Sequence, residues 1–394
     1  MPRRVYLDNN ATTSLHPEVL DAMMPFLKED FGNPSSLHRL GRKVRVKIDE
    51  AREKVAAVIG ADPSEIVFTS GGSESDNFAI KGCVWANKKN GVGSTGSQCS
   101  GHIITSAIEH HAVLDTCKYL ENNGYRVTCL PVDEYGLVNP LDVEKAISSD
   151  TILLTIHHSN NEIGTIEPIE EISKIARSKG VMVHTDAVQS LGKVPLNVNN
   201  LGVDLLSVSA HKLYGPKGVG ALYIRKGIKK MHPLISGGHQ EKMRRGGTEN
   251  AAGIVGFGKA CELALANMNE DAAHLSALRD RLQNLILEKI PHVKLNGHPE
   301  KRLPTTLNMS FKFAEGEALM INLDLAEVAI STGSACTSGT LEPSHVLSAM
   351  GIPHEIIHGS LRFSFGRENT VQDVDYVMEV LPDIVRRVRE MEKR

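Results

Sequence analysis

The stretch "VDLLSVSAHKLYGPKGVGALYIR", Val203 to Arg225, decides the fold. It opens on a nearly continuous apolar run, Val203–Ala210, and closes on a second, Gly220–Arg225. Apolar runs of this length without alternation fit strands covered on both faces, as in a mostly parallel sheet flanked by helices. His211 and Lys212 follow at the carboxyl end of the first run. Ligands of parallel sheets gather at such ends. A lysine placed there loses water, its pKa falls, and its amine becomes a nucleophile. Taken alone, Lys212 reads as an ordinary surface charge, because lysine is rarely buried.

Outward from this stretch, five more runs have strand character: Glu65–Ser70, His102–Ala107, Tyr125–Val132, Thr151–His158 and Val181–Asp186. Helical periodicity fills the intervals, for example from Ser73 to Lys89 and from Pro168 to Gly180. Strand and helix alternate, which implies right-handed crossovers and an α/β fold with a mostly parallel sheet. A long helical pattern from Asn250 to about Ile290 bridges to a second region. That region holds strand candidates at Thr305–Lys312 and Ser360–Phe365 and a closing amphipathic helix, Val371–Lys393.

The chain has 394 residues, enough for two or three domains or for one large α/β domain with an appendage. A net charge of −3 gives no global attraction to nucleic acid or to anionic membranes, so neither is expected as a partner. The basic run Arg39–Lys47 reads as a solvated helix face. No apolar run reaches membrane-spanning length, and the opening MPRRVYLDNN lacks the apolar segment of a signal peptide. Six cysteines without close pairing argue against a disulfide framework and for a reducing cytoplasm. Cys83, Cys117, Cys129 and Cys261 read as small core residues, and no cysteine or histidine spacing suits a metal site. The Gly- and Ser-rich stretch Asn90–Gly101, with Cys99, reads as a flexible surface loop.

Other strand ends carry chemistry as well. Asp186, in HTDAVQS, could pair with a protonated ring nitrogen and Gln189 could donate to a ring oxygen, although Asp186 also fits a helix N-cap. FTSGGSESDNF places Gly72 and Ser73 at a helix start, where free backbone N–H groups bind an anion. Without a GxGxxG pattern or a Walker lysine, a single phosphate fits better than a nucleotide. His110 could stack on a flat ring and shuttle protons. Asn161 could bond a ring hydroxyl or a carboxylate. A phosphate cradle, a ring stacker, an amide, a carboxylate and a lysine at successive strand ends point to pyridoxal 5′-phosphate.

The motifs YLDNNATT, GNPSSLH, EHHAVLD, NNEIGT, HTDAVQSLGK, SAHKLYGPKGVGALY, RRGGTEN, GSACTSG and LRFSFGR, spread over nearly the whole chain, resemble the cysteine desulfurases of the NifS/IscS type. The resemblance implies a fold-type I transferase fold, with a seven-stranded sheet in a large domain, residues 16–262, and a smaller α+β domain of residues 1–15 and 263–394. It implies Lys212 as the covalent anchor of pyridoxal phosphate, and Asp186 and Gln189 as partners of the ring. His110 would be ring stacker and acid/base, and Gly72, Ser73, Ser209 and His211 phosphate ligands. Thr248 would complete that site from the second subunit of a homodimer. Arg362 would grip the substrate carboxylate of L-cysteine, helped by Asn161 and Asn33. Cys336, alone among the small residues of STGSACTSG, would take the sulfur as a persulfide and hand it to an iron–sulfur scaffold or another acceptor. Departures are Gly71-Gly72-Ser73, where many relatives show Gly-Ala-Thr, and a longer Asn90–Gly101 loop. A selenocysteine lyase and an aminotransferase of the same fold are the rival readings.

Overall fold

A computed structural model describes residues 4–87, 101–228, 231–332 and 343–391. Cys99 and Cys336 lie outside the described residues. The central sheet has seven strands in the order Ile66–Thr69, Gly220–Ile224, Leu205–Ser209, Met182–Asp186, Thr151–Thr155, His102–Ser106 and Arg126–Leu130. The last five run parallel. Gly220–Ile224 runs antiparallel to both of its neighbours. Ile66–Thr69 therefore points the same way as the parallel set, and the carboxyl ends of six strands lie along one edge.

The unbroken apolar runs reflect burial on both faces. Leu206 and Val208 enter one core with Leu154 and Val183. Leu205 enters the opposite core with Ile103, Leu153 and Leu222. Arg126–Leu130 is the edge strand, and there the expectation for Cys129 fails. Cys83, Cys117 and Cys261 are buried, but Cys129 is exposed, because its strand has a neighbour on one side only.

A second sheet has four antiparallel strands in the order Ser331–Thr332, Ser360–Ser364, Thr306–Phe311 and Val293–Asn296. Beside it Val5–Tyr6 pairs in parallel with Val328–Ala329. Val5 and Leu7, from the start of the chain, share a core with Leu307, Phe363 and Val377. The 39-residue helix Ala251–Lys289 joins the two regions. Its first half packs Phe257, Cys261 and Ala264 into the central core, and its second half packs Leu275, Leu282 and Ile286 into the other. Among the described residues no helix is long and apolar enough to cross a membrane.

Candidate active site

The strand ends converge on a cavity of about 330 Å³, within the size range of small-molecule sites. Gly72, Ser73, His110, Asn161, Asp186 and Gln189 line it. Ser209, His211, Lys212 and Arg362 also line it. Asn33 and Thr248 do not line it. Asn33 uses its side-chain oxygen locally, accepting from the Ser35 N–H at 2.9 Å. Thr248 is exposed, just before the Asn250 cap of the long helix.

Lys212 ends a single 3-10 turn, Ala210–Lys212, that follows its strand directly. Its Nζ donates to the Ala11 carbonyl at 2.7 Å and to the Asn10 carbonyl. The stretch YLDNNATT thus supplies the floor of the site, a role that its polar composition alone did not disclose. Asn10 also donates to the Asn161 carbonyl at 3.1 Å and to Thr306 Oγ1 at 2.9 Å, so it ties the two sheets together beneath the cavity.

Asp186 ends its strand and accepts the Val188 N–H at 2.8 Å. Burial pushes its carboxyl up, while the Val188 bond and the charges of His157 and Lys212 pull it down. Asp76, buried behind it on the helix Gly72–Ala86, is pushed much further, by burial and then by the Asp186 charge. Two buried carboxyls side by side do not both ionise readily. The ionised form is therefore favoured at Asp186 over Asp76. His157 was not foreseen from the sequence. Burial opposes its charge, but Glu109 at 3.3 Å from Nδ1 and Glu167 at 3.9 Å from Nε2 outweigh this and lift it to about 9. A cation thus stands near Asp186 across the neutral range.

His110 caps the helix His111–Asn122, its Nδ1 accepting the Ala112 N–H at 3.1 Å. The neutral ring therefore carries its proton on Nε2. Burial, then the charges of Lys212 and His111, keep it neutral by lowering its pKa. His211, whose Nδ1 lies 3.1 Å from Thr12 Oγ1, is brought down to about 4 by burial and neighbouring lysines.

Arg362 is buried and bonds the Asn161 carbonyl at 3.1 Å and Asp8 at 2.8 Å. Its Nε has no hydrogen-bond partner. An unsatisfied guanidinium donor at a cavity wall is suited to a carboxylate.

The aminotransferase class-V family matches residues 5–377. A cysteine desulfurase IscS of Dictyoglomus turgidum is 55% identical over 389 residues, 99% of this chain and 96% of that one. The cysteine desulfurase IscS of Methanosarcina thermophila is 54% identical, over 99% of this chain and 94% of its own.

The chain belongs to the aminotransferase class-V family, in its cysteine desulfurase group.

Solved structures agree with this class-V membership. A NifS-like protein superposes with a TM-score of 0.88 at 40% identity, covering 99% of this chain and 100% of that one. A structure titled SspA in complex with cysteine superposes with a TM-score of 0.80 at 39% identity, covering 92% and 98%. Enzymes of this class-V group use pyridoxal 5′-phosphate, and the cavity fits that group. Ser209 Oγ is buried without a partner beside the start of the helix Gly72–Ala86, and that helix has no side-chain cap. Together they offer unused donors to a phosphate. Gly72 leaves no room for more: a Cβ there would stand 2.8 Å from Val188 Cγ2. The Asp186 charge suits a protonated ring nitrogen, and Lys212 supplies the amine.

Proposed function

We propose that the chain converts L-cysteine to L-alanine and takes the sulfur as a persulfide on Cys336. The observation that carries this reading is the meeting of Lys212, Asp186, His110 and Arg362 on one cavity wall. Pyridoxal phosphate on Lys212 supplies, when bound, an electron sink that labilises the substrate Cα–H and Cβ–Sγ bonds. Asp186 holds negative charge against the ring nitrogen, and Gln189 donates to the ring oxygen. Gly72, Ser73, Ser209 and His211 bind the phosphate, with Thr248 contributed by a second copy of the chain. Arg362 binds the substrate carboxylate through its unsatisfied Nε, and Asn161, whose carbonyl already holds Arg362, lies beside that contact. Asn33 is assigned to the same carboxylate.

Lys212 Nζ moves the proton at the substrate Cα. His110 Nε2 carries a proton in its neutral form and manages the proton of the substrate thiol. Overall, one C–S bond breaks and one S–S bond forms. The proton of the Cys336 thiol is accounted for at the alanine methyl, so no outside oxidant is needed.

The reading includes a homodimer working in the cytoplasm and delivery of sulfur to an iron–sulfur scaffold or another thio-cofactor pathway. It divides the chain into a cofactor-binding unit, residues 16–262, and a smaller unit, residues 1–15 and 263–394; the core around Leu307, Phe363 and Val377, separate from those on the seven-stranded sheet, supports that division.

The test is L-cysteine with a reductant, scoring sulfide and alanine. Equal amounts are expected from the full chain, and little of either from Cys336→Ala. The yellow absorbance is expected to vanish in Lys212→Ala. Conversion of L-cysteine to its 2-keto acid, with neither sulfide nor alanine formed from it, would move the assignment to an aminotransferase. A strong preference for selenocysteine over cysteine would move it to a selenocysteine lyase.

A further inference from the structure

Lys193 stands outside the residues assigned above, yet its Nζ donates to Gln189 Oε1 at 3.1 Å. The other end of the same amide, Gln189 Nε2, donates to the Asn10 carbonyl at 3.0 Å. An ammonium has only donors and a backbone carbonyl only accepts. The two partners therefore fix the orientation of the amide independently, where an unaided glutamine could turn either way. The Asn10 carbonyl is also the one that receives Lys212 Nζ. Lys193, Gln189, the Asn10 carbonyl and Lys212 thus form one connected chain of hydrogen bonds.

The backbone is built to bring Lys193 there. Gly192 has φ of +68°, and a Cβ on it would stand 2.1 Å from Leu213 Cδ1. Glycine takes that turn without strain. Lys193 and Lys212 then face a shared cavity of about 20 Å³, room for about one water. Asp271 and Tyr214 line the same space, but Asp271 is held by Arg367 at 2.6 Å rather than by Lys193. Burial, then the cations Lys212 and Arg362, bring the Lys193 ammonium down to about 7.

We propose that Lys193 is a positioning residue: it pins the Gln189 carbonyl, so that the amide presents its N–H donors to the anionic ring oxygen of the cofactor. This rests on the pyridoxal phosphate reading of the cavity. The oriented donor favours the deprotonated form of the nitrogen that joins Lys212 to the cofactor.

The experiment is a pH titration of the cofactor–Lys212 absorbance in holoenzyme of wild type, Lys193→Met, Gln189→Leu and the double variant, with thermal unfolding as a fold control. Lys193→Met is expected to raise the apparent pKa by about one unit, as expected when a hydrogen bond to the deprotonated form is loosened in a buried site. The double variant is expected to titrate like Gln189→Leu, because Lys193 acts through that amide. Lys193→Leu, which also removes the charge and the donor, replaces Lys193→Met if the latter does not fold. An unchanged pKa in folded Lys193 variants, or shifts that simply add, would overturn the proposal. If wild type instead shows no absorbance dependent on Lys212, the cofactor reading itself has failed.

Discussion

Arg362→Met separates what the buried guanidinium does for the fold from what it does for substrate. In the native chain Arg362 meets Asp8 at 2.8 Å, with the arginine side chain 2% exposed and the carboxylate 19%. Removing one partner of a buried pair costs roughly 3–5 kcal/mol, because the other charge is left uncompensated. For 394 residues the unfolding entropy is about 0.8 kcal/mol per kelvin, so Tm is expected to fall by about 5 °C. A second substitution, Asp8→Asn, removes the stranded charge while an amide oxygen still accepts the Ser331 hydroxyl, now at 2.8 Å. The double variant is expected to regain at least half of the lost stability. Substrate affinity is not expected to return with it. A charge-assisted bond to a carboxylate contributes about 1.5–3 kcal/mol, so KM for L-cysteine is expected to rise roughly 10- to 150-fold in both variants. Calorimetry of the holoenzyme, with sulfide release over a range of cysteine concentrations, measures both. A double variant with wild-type KM would show that Arg362 is a structural ion-pair partner only. Failure of Asp8→Asn to restore any stability would show that the stranded carboxylate is not the source of the loss.

Two further outcomes follow from the same geometry. His157 titrates at about 9 in the fold, above the ordinary value of about 6.5. Its charge therefore stabilises fully below about pH 6.5, and that contribution is lost as pH rises through 9. The stability gap between wild type and His157→Gln, from urea unfolding at one protein concentration, is expected to shrink by up to about 3 kcal/mol between pH 6 and pH 9.5; a gap that stays constant or widens would contradict a charged imidazole. Gly72→Ala places a methyl 2.8 Å from Val188 Cγ2, so stability is expected to fall by about 1–3 kcal/mol and cofactor affinity with it. Adding Val188→Ala is expected to restore part of both in a cofactor titration, and no recovery would place the cause elsewhere.

The sequence by itself determined the α/β class and the strand ends, because double-sided burial writes unbroken apolar runs and the polar residues that interrupt them stand where strands stop. Lys212, Asp186, His110 and Gly72 were legible for that reason, each at the end of such a run. Cys129 was misread because an edge strand and a central strand share a composition, and only the sheet order exposes one of them. Tertiary structure alone decided what lies beneath the cavity. Asn10 and Asp8 come from the first residues of the chain, more than 150 positions from Asn161 and more than 350 from Arg362. His157 and Lys193 looked like one more histidine in a strand and one more lysine after a glycine. Their charge states depend on buried neighbours, Glu109 and Glu167 for the one and Lys212 and Arg362 for the other, and a pattern of local periodicity holds no information about groups that meet only when the sheets are packed.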